Sequence, residues 1–246
     1  TVPAEQIVIV CDGPVSEEVG EYLNKLSEDE PQLWTIVRLR ENAGQGLAAR
    51  AGMEQCRNQL IARMDDDDVS VVDRIEKQIA FLKEHRDVDV LGGNIEEFIG
   101  DESNVVGVRA VPSSHEEILK YQRSRCPMNQ ITTLMLKYKV EMAGGYQHWH
   151  FDEDSYLWAR MNLAGCRFAN LTDILCHVRV GKDMYRRRGG YKYYQSERDL
   201  FKFMYKNGII TYSEYVKAKF IRFVVQVLMP NGVRQWFFKT FAREKK

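Results

Sequence analysis

The stretch Leu60–Ile61–Ala62–Arg63–Met64–Asp65–Asp66–Asp67–Asp68 runs from apolar residues straight into four carboxylates. Ile61 and Met64 give it strand character, and Val72, Ile75, Ile79 and Leu82 then recur at helical spacing. The pattern predicts a buried strand, a turn and an amphipathic helix. Open α/β folds place their ligands at the carboxyl edge of the sheet, at such strand-to-helix turns. Four anions within one turn repel one another, so they call for a divalent cation or a cationic partner. An isolated acid run is usually a solvated loop, but one that ends a buried strand fits that description poorly.

Upstream, Gln6–Cys11 is an apolar, β-branched run that reads as a buried strand of a parallel sheet. The Asp12–Gly13–Pro14 turn follows, and Ser16 with Glu17 and Glu18 starts a helix. Leu33–Leu39 is a second strand, Asn42–Gly46 a glycine-containing turn and Leu47–Cys56 an Ala-rich helix. The β-α-β-α-β-α order predicts an α/β fold with a doubly wound, mostly parallel sheet. Such units return every strand in one direction, so Asp12 and the Asn42–Gly46 turn are expected near Asp65–Asp68. Alone, Asp12 would read as a turn residue.

Downstream, Val88–Ile99 and Val105–Val111 predict an antiparallel pair around Gly100–Asp101. Ser113–Ser114 followed by Glu116–Glu117 predicts a capped helix start. Ile131–Leu136 is a further strand, Gly144–Gly145 a turn, and Ser155–Ala164 a helix. Before that helix, Gln147–Asp154 is dense in aromatic and titratable groups. His148 and His150 lack further evident ligands for a metal, and an aromatic wall with Trp149 stacking on a sugar face fits better. Glu153 and Asp154 alone would read as first-turn acids favouring the helix dipole.

The zero net charge of the 246 residues hides a split. From His177 onward 17 Lys/Arg face 5 Asp/Glu, giving +12, so residues 1–176 carry −12. An acidic body with a basic, aromatic tail suggests two jobs, the basic part facing phosphates, an anionic membrane surface or nucleic acid. In the tail, Arg186–Arg188 before Gly189–Gly190 can clamp phosphate or form a solvated loop. Tyr191–Lys206 and Tyr215–Met229 read as helices, Pro230 ending the second. Phe220, Phe223, Val224, Val227 and Leu228 beside Lys217, Lys219 and Arg222 have the composition of an interfacial membrane helix, or of a face packed on the body. The five scattered Cys form no zinc pattern and read as reduced thiols of a cytoplasmic protein. No apolar run approaches the ~20 residues of a membrane span.

The ordered set Asp12–Gly13, Asn42-x-Gly44, MDDDDVS with Asp73–Arg74 and Glu76–Lys77–Gln78, Gly144–Gly145–Tyr146 and Glu153–Asp154 with Leu157–Trp158 resembles family-two inverting glycosyltransferases of the GT-A fold. The tail HVRVGKDMYRRRGGYKYY and FVVQVLMPN resembles the subgroup that builds bacterial capsular and exopolysaccharides, amylovoran-type enzymes included. The resemblance implies a GT-A domain over 1–180 and a basic, aromatic helical extension over 181–246. It also implies a further strand and helix before Gln6–Cys11, so the domain is read as N-terminally truncated with an open slot in its sheet.

Carried over, Asp12, Asn42, Gly44, Asp65, Asp66, Arg179, Arg187 and Arg188 would bind a nucleotide-diphosphate sugar, a UDP-sugar being favoured. Asp67, with Asp65, would hold Mn²⁺ or Mg²⁺. Asp154 would be the general base beside Glu153, and Tyr146, Trp149 and His150 would border a saccharide or lipid-linked acceptor. The implied setting is the inner face of the plasma membrane, touched through 215–246, with no nucleic-acid partner. Gln130 and Gly181 stand where relatives often have His. A non-catalytic transferase-like subunit and an aspartate-nucleophile phosphatase are the rival readings. A calcium loop from Asp65 fails because Val69 and Ser70 occupy its fifth and sixth positions.

Overall fold

A computed structural model describes residues 1–181, 189–230 and 232. Strands β1 (Ile7–Cys11) and β2 (Trp34–Arg38) pair in parallel, with helix α1 (Glu17–Asp29) between them in sequence. Helix α2 (Gln45–Gln55) follows and packs on β1. Ser16 caps α1 by accepting the Val19 amide at 3.4 Å, the start signalled by Ser16–Glu17–Glu18.

The acid cluster follows β3 (Leu60–Ala62) and precedes the short strand β4 (Val69–Ser70). Two expectations are corrected here. β3 is not buried but a half-exposed edge strand, antiparallel to a later one. Val72 is 84% exposed, because helix α3 begins only at Arg74 and runs to Glu84. The apolar period therefore starts one residue group later than Val72 suggested.

Strands β5 (Val90–Phe98) and β6 (Val105–Arg109) form the expected antiparallel pair. Helix α4 (His115–Gln122) starts with a capping box, Ser114 and Glu117 each bonding the other's backbone N–H. The predicted strand 131–136 is divided: Gln130–Thr132 is a 3-10 turn, and only Leu134–Leu136 is strand, β7. Helices α5 (Lys137–Met142) and α6 (Glu153–Leu163) come next, α6 starting two residues before the predicted Ser155.

Phe168–Arg179 is β8, a 12-residue strand that the sequence reading passed over, and His177–Arg179 end it rather than begin a tail. It pairs in parallel with β5 from Val90–Phe168 to Phe98–Arg179 and joins β4 on its other side. The larger sheet runs β3-β7-β5-β8-β4 with β6 also on β5. Among the described residues no ladder joins β1 to β3, and the sheet is divided there.

Helix α7 spans Tyr191–Lys206 as predicted. Helix α8 (Tyr212–Phe223) starts at a Thr211–Glu214 capping box and continues as a π-helical turn, Val224–Leu228. One core joins the sheet to α4 and α6 through Val90, Met135, Phe168, Ile118, Trp158 and Leu157. A second puts Ala159 of α6 against Leu200, Phe201 and Met204 of α7, so the C-terminal helices rest on α6. Each such large apolar side chain, fully buried, contributes about 1.5–3 kcal/mol. Among the described residues no helix is long and apolar enough to cross a membrane.

Candidate active site

Three segments meet around the start of α6. The first is the turn before α2. Asp12 accepts the Ala43 amide at 2.7 Å and the Gly44 amide at 3.0 Å, and Asn42 donates to the Asp12 carbonyl. Gly44 has φ +87°, a conformation that favours glycine. Asp12 is thus a turn-forming residue here, both carboxylate oxygens already engaged, and it fixes the path of Asn42 and Gly44. Two residues on, a Cβ on Gly46 would stand 2.4 Å from the Gln147 carbonyl and 3.1 Å from Glu153 Cβ. Only glycine lets α2 approach α6 so closely.

The second segment is the acid cluster. Arg63 pairs with Asp65 at 2.5 Å and also donates to the Met64 carbonyl. Behind it lies Arg74, only 2% exposed. Its guanidinium donates to the Arg63 carbonyl at 2.9 Å, to the Thr133 carbonyl at 3.4 Å and to Gln78 at 3.1 Å. Gln78 in turn reaches the Leu91 and Thr132 carbonyls. Arg74 thus anchors the segment entering the cluster to three other elements. Burial pushes the Asp65 carboxyl up, with Arg63 pulling the other way. Burial also raises Asp68 to about 6, although its Oδ1 accepts the Arg179 amide at 2.9 Å. Asp66 and Asp67 are exposed in the turn.

The third segment is Asp152–Glu153–Asp154. Burial, reinforced by Asp154, raises Glu153 to about 7. Arg63 and Asp65 act on the same carboxyl through space, which sets the acid cluster beside the pair. Asp154 is half-buried; its Oδ1 accepts the Ser155 amide at 2.5 Å, and its Oδ2 accepts the Cys126 thiol at 3.3 Å. Burial, then the Asp154 charge, lifts that thiol to about 12, so it stays protonated and donating. Asp152 is buried, and burial together with Glu197 holds its carboxyl well above the usual range. It accepts Ser196 Oγ of α7 at 3.0 Å.

The remaining predicted residues are placed less openly. Tyr146 is 1% exposed, its hydroxyl accepting Gln130 Nε2 at 3.3 Å, which puts its ring in the core rather than on an acceptor surface. Trp149 packs on Tyr156 with ring centroids 4.1 Å apart and planes tilted by 30°, and it lies half-buried against the α6–α7 core, so the face toward Tyr156 is covered. The His150 carbonyl accepts Ser196 Oγ, and its ring meets Phe151 edge-on at 4.3 Å. The Arg179 guanidinium turns away to the Gly100 carbonyl at 2.7 Å and lies over Phe98, so only its amide touches the acid cluster. Arg187 and Arg188, with Arg186, lie outside the described residues.

Sequence reading missed Cys126, Ser196 and the backbone conformation of Phe151, a residue it places within the Gln147–Phe151 acceptor border. Phe151 has φ +66° and is 48% exposed, a left-handed conformation that a bulky residue adopts only when its surroundings impose it. Of these, only the aromatic run 149–151 carried a local signal.

Among the described residues no three His, Cys, Asp or Glu converge closely enough to hold a metal by themselves. The donor chemistry nonetheless fits a hard divalent cation. Asp65 and Asp67 offer oxygens at the mouth of the turn, and Mg²⁺-like ions take one or two carboxylates with substrate phosphates and water completing the shell.

The α/β fold with its helical C-terminal part is that of GT-A glycosyltransferases. The chain belongs to glycosyl transferase family 2, whose model matches residues 1–161, and it is a glycosyltransferase. It is 36% identical to the amylovoran biosynthesis glycosyltransferase AmsE of Erwinia amylovora, over 97% of this chain and 88% of that protein. It is 30% identical to an Escherichia coli UDP-Gal:α-D-GlcNAc-diphosphoundecaprenol β-1,3-galactosyltransferase, over 99% and 87%. Its fold superposes on a Pyrobaculum calidifontis mannosyltransferase, solved with GDP-Man and Mn²⁺, at TM-score 0.59 and 13% identity. That superposition covers 93% of this chain and 62% of the other.

Proposed function

We propose that this chain moves a sugar from a nucleotide-diphosphate donor, a UDP-sugar being favoured, to a lipid-linked saccharide acceptor in bacterial surface polysaccharide synthesis. The observation that carries the reading is the meeting of the Gly44–Gly46 turn, the Asp65–Asp68 turn and Glu153–Asp154 around one point. Relatives named for amylovoran synthesis and for a diphosphoundecaprenol-linked acceptor support the substrate class.

In this mechanism the acceptor hydroxyl lies against Asp154, whose carboxylate takes its proton as the oxygen attacks the anomeric carbon. The carbon–oxygen bond to the diphosphate breaks, and its electron pair leaves with the nucleoside diphosphate. One displacement inverts the configuration. The Cys126 thiol and the Ser155 amide hold Asp154 in one rotamer, leaving a lone pair for the incoming proton. Glu153, raised to about 7, is partly neutral near physiological pH, which lowers the repulsion of an anionic donor. Asp65 and Asp67 would hold Mn²⁺ or Mg²⁺, which neutralises charge on the departing diphosphate when bound.

On the far side of α8, Tyr212, Val216 and Phe220 are 64%, 44% and 67% exposed, four residues apart on one face. With Lys219 alongside, this stripe supports contact with an anionic membrane face. Residues 231 and 233–246, the rest of the proposed contact, lie outside the described residues.

The test is the thermal midpoint of the chain with Mn²⁺ and a panel of UDP-, GDP- and dTDP-sugars, beside Asp67→Ala. A donor at ~100 times its dissociation constant should add about 2.7 kcal/mol. A metal-dependent shift with one base, lost in the variant, is the expected outcome. A folded sample that shifts with no donor would overturn the reading. In turnover, Asp154→Asn should lose about 10²–10⁴ in kcat while keeping the donor-induced shift.

A further inference from the structure

A large cavity of about 1240 Å³ opens beside Asp154, between the end of α4, the start of α6 and helices α7 and α8. Glu214, Lys217, Ala218, Ile221, Arg222 and Val225 line it from α8 and the turn after it, at the spacing of one helical face. Arg123 and Arg222 brace the opposite wall against α8. Arg123 forks onto Glu214 at 2.9 and 2.6 Å, and Arg222 donates to the Ser124 carbonyl at 3.0 Å and pairs with Glu197.

Three further cations on these walls, Lys120, Arg125 and Lys217, are exposed and form no ion pair with a described residue. The reaction already described does not use them. The walls also carry exposed apolar side chains, Ile221 of α8 (44%) and Leu163 of α6 (47%), with the buried Leu200, Phe201 and Met204 of the core behind them. Phe151, exposed and held in its left-handed conformation, stands at the Asp154 end. One groove therefore brings together, beside the proposed base, an exposed aromatic ring, cations without an ion pair to a described residue, and exposed apolar side chains. That set of chemistries matches a sugar, a diphosphate and a lipid chain joined in one molecule.

We infer that this groove is the acceptor site, and that Lys120, Arg125 and Lys217 take the diphosphate linking the acceptor sugar to its lipid, while the α7–α8 wall receives the first part of the chain. The inference rests on the proposed transferase reading and adds to it the place and the polar contacts of the acceptor. It also keeps Phe151 of the expected Gln147–Phe151 border, drops the buried Tyr146, and adds the α4–α8 walls.

The test titrates the full chain with farnesyl diphosphate, farnesol, inorganic pyrophosphate and UDP with Mn²⁺, for wild type and the double variant Lys120→Glu/Lys217→Glu. Both positions are exposed, so folding should be preserved. Farnesyl diphosphate should bind the wild type and lose at least about tenfold in the variant, the worth of one charge-assisted contact. UDP should bind both alike and should not displace it. The inference is overturned if farnesyl diphosphate does not bind, binds the variant equally, or is displaced by UDP. Farnesol binding as tightly would reduce the groove to an apolar site, and pyrophosphate binding as tightly would make it a free-anion site; either result also overturns it. Failure of the transferase reading looks different: farnesyl diphosphate binds with the expected charge dependence, and no nucleotide binds with metal.

Discussion

The Cys126 thiol donates to Asp154 Oδ2 at 3.3 Å, tying the loop after α4 to the proposed base 28 residues later. A thiol is a weak donor, so its loss should cost orientation more than stability. Cys126→Ser, with a stronger hydroxyl donor, should keep most of the turnover, whereas Cys126→Ala should lower kcat by roughly tenfold with KM for donor little changed. Steady-state kinetics on the two variants checks this. Equal activity in Cys126→Ala would mean that the Ser155 contacts hold Asp154 by themselves.

Glu153 gives the protein a pH dependence with a definite sign. Its folded pKa of about 7 lies above that of a free Glu, near 4.3, so the folded state binds more protons than the unfolded one between those values. This contribution to stability is complete below about pH 4.3 and is lost as pH rises through 7. The thermal midpoint should therefore fall across that window more steeply in the wild type than in Glu153→Gln. Parallel profiles would show that burial does not raise this carboxyl.

Arg74 is a buried cation whose described contacts are carbonyls, a side-chain amide and two sulfurs, so removing it leaves several acceptors unsatisfied at once. Each buried group left without a partner costs about 1–3 kcal/mol. Arg74→Ala should destabilise by about 3 kcal/mol in denaturant titration. Arg74→Lys should recover part of that and still weaken metal-dependent donor binding, because one ammonium lacks the separate Nε donor that ties Gln78 while Nη2 holds the Arg63 and Thr133 carbonyls.

Where the chemistry of a segment is local, it was legible. The Ser16 and Ser114 starts, the β5–β6 pair and the Tyr191–Lys206 helix all follow from caps, turn residues and periodicity. β8 was not legible because Asn170, Thr172 and Asp173 interrupt its apolar run. Asn170 is buried for a long-range reason, its amide donating to the carbonyls of Pro112 and Pro127. The Glu153–Asp154 pair could be picked out by family resemblance. Cys126, Arg74 and Ser196 act through contacts across 10 to 44 or more residues, which no window of sequence reveals. The same holds for Tyr146 and Trp149, whose composition suits an open sugar wall although packing encloses the first and half-buries the second.

Arg123 and Glu214 join the end of α4 to α8 across 91 residues, a forked polar tie between the body and the C-terminal helices at the proposed acceptor groove. The Arg123 guanidinium, then the Thr211 amide and hydroxyl, hold the Glu214 carboxyl down at about 2. Both partners are more than a third exposed, so solvent screens the pair, and a double-mutant cycle with Arg123→Ala and Glu214→Ala should give about 1 kcal/mol of coupling. A depressed carboxyl contributes stability that is present above its unfolded pKa, near 4.3, and lost as pH falls toward 2. Measured at pH 7 the coupling should be intact, and at pH 2 largely gone, with 0.5 M salt reducing it at either pH. A coupling that survives at pH 2 would mean that the helices are held together at this corner by packing alone. In that case the groove would keep its shape without the pair, and acceptor binding in the Glu214→Ala variant should be unchanged.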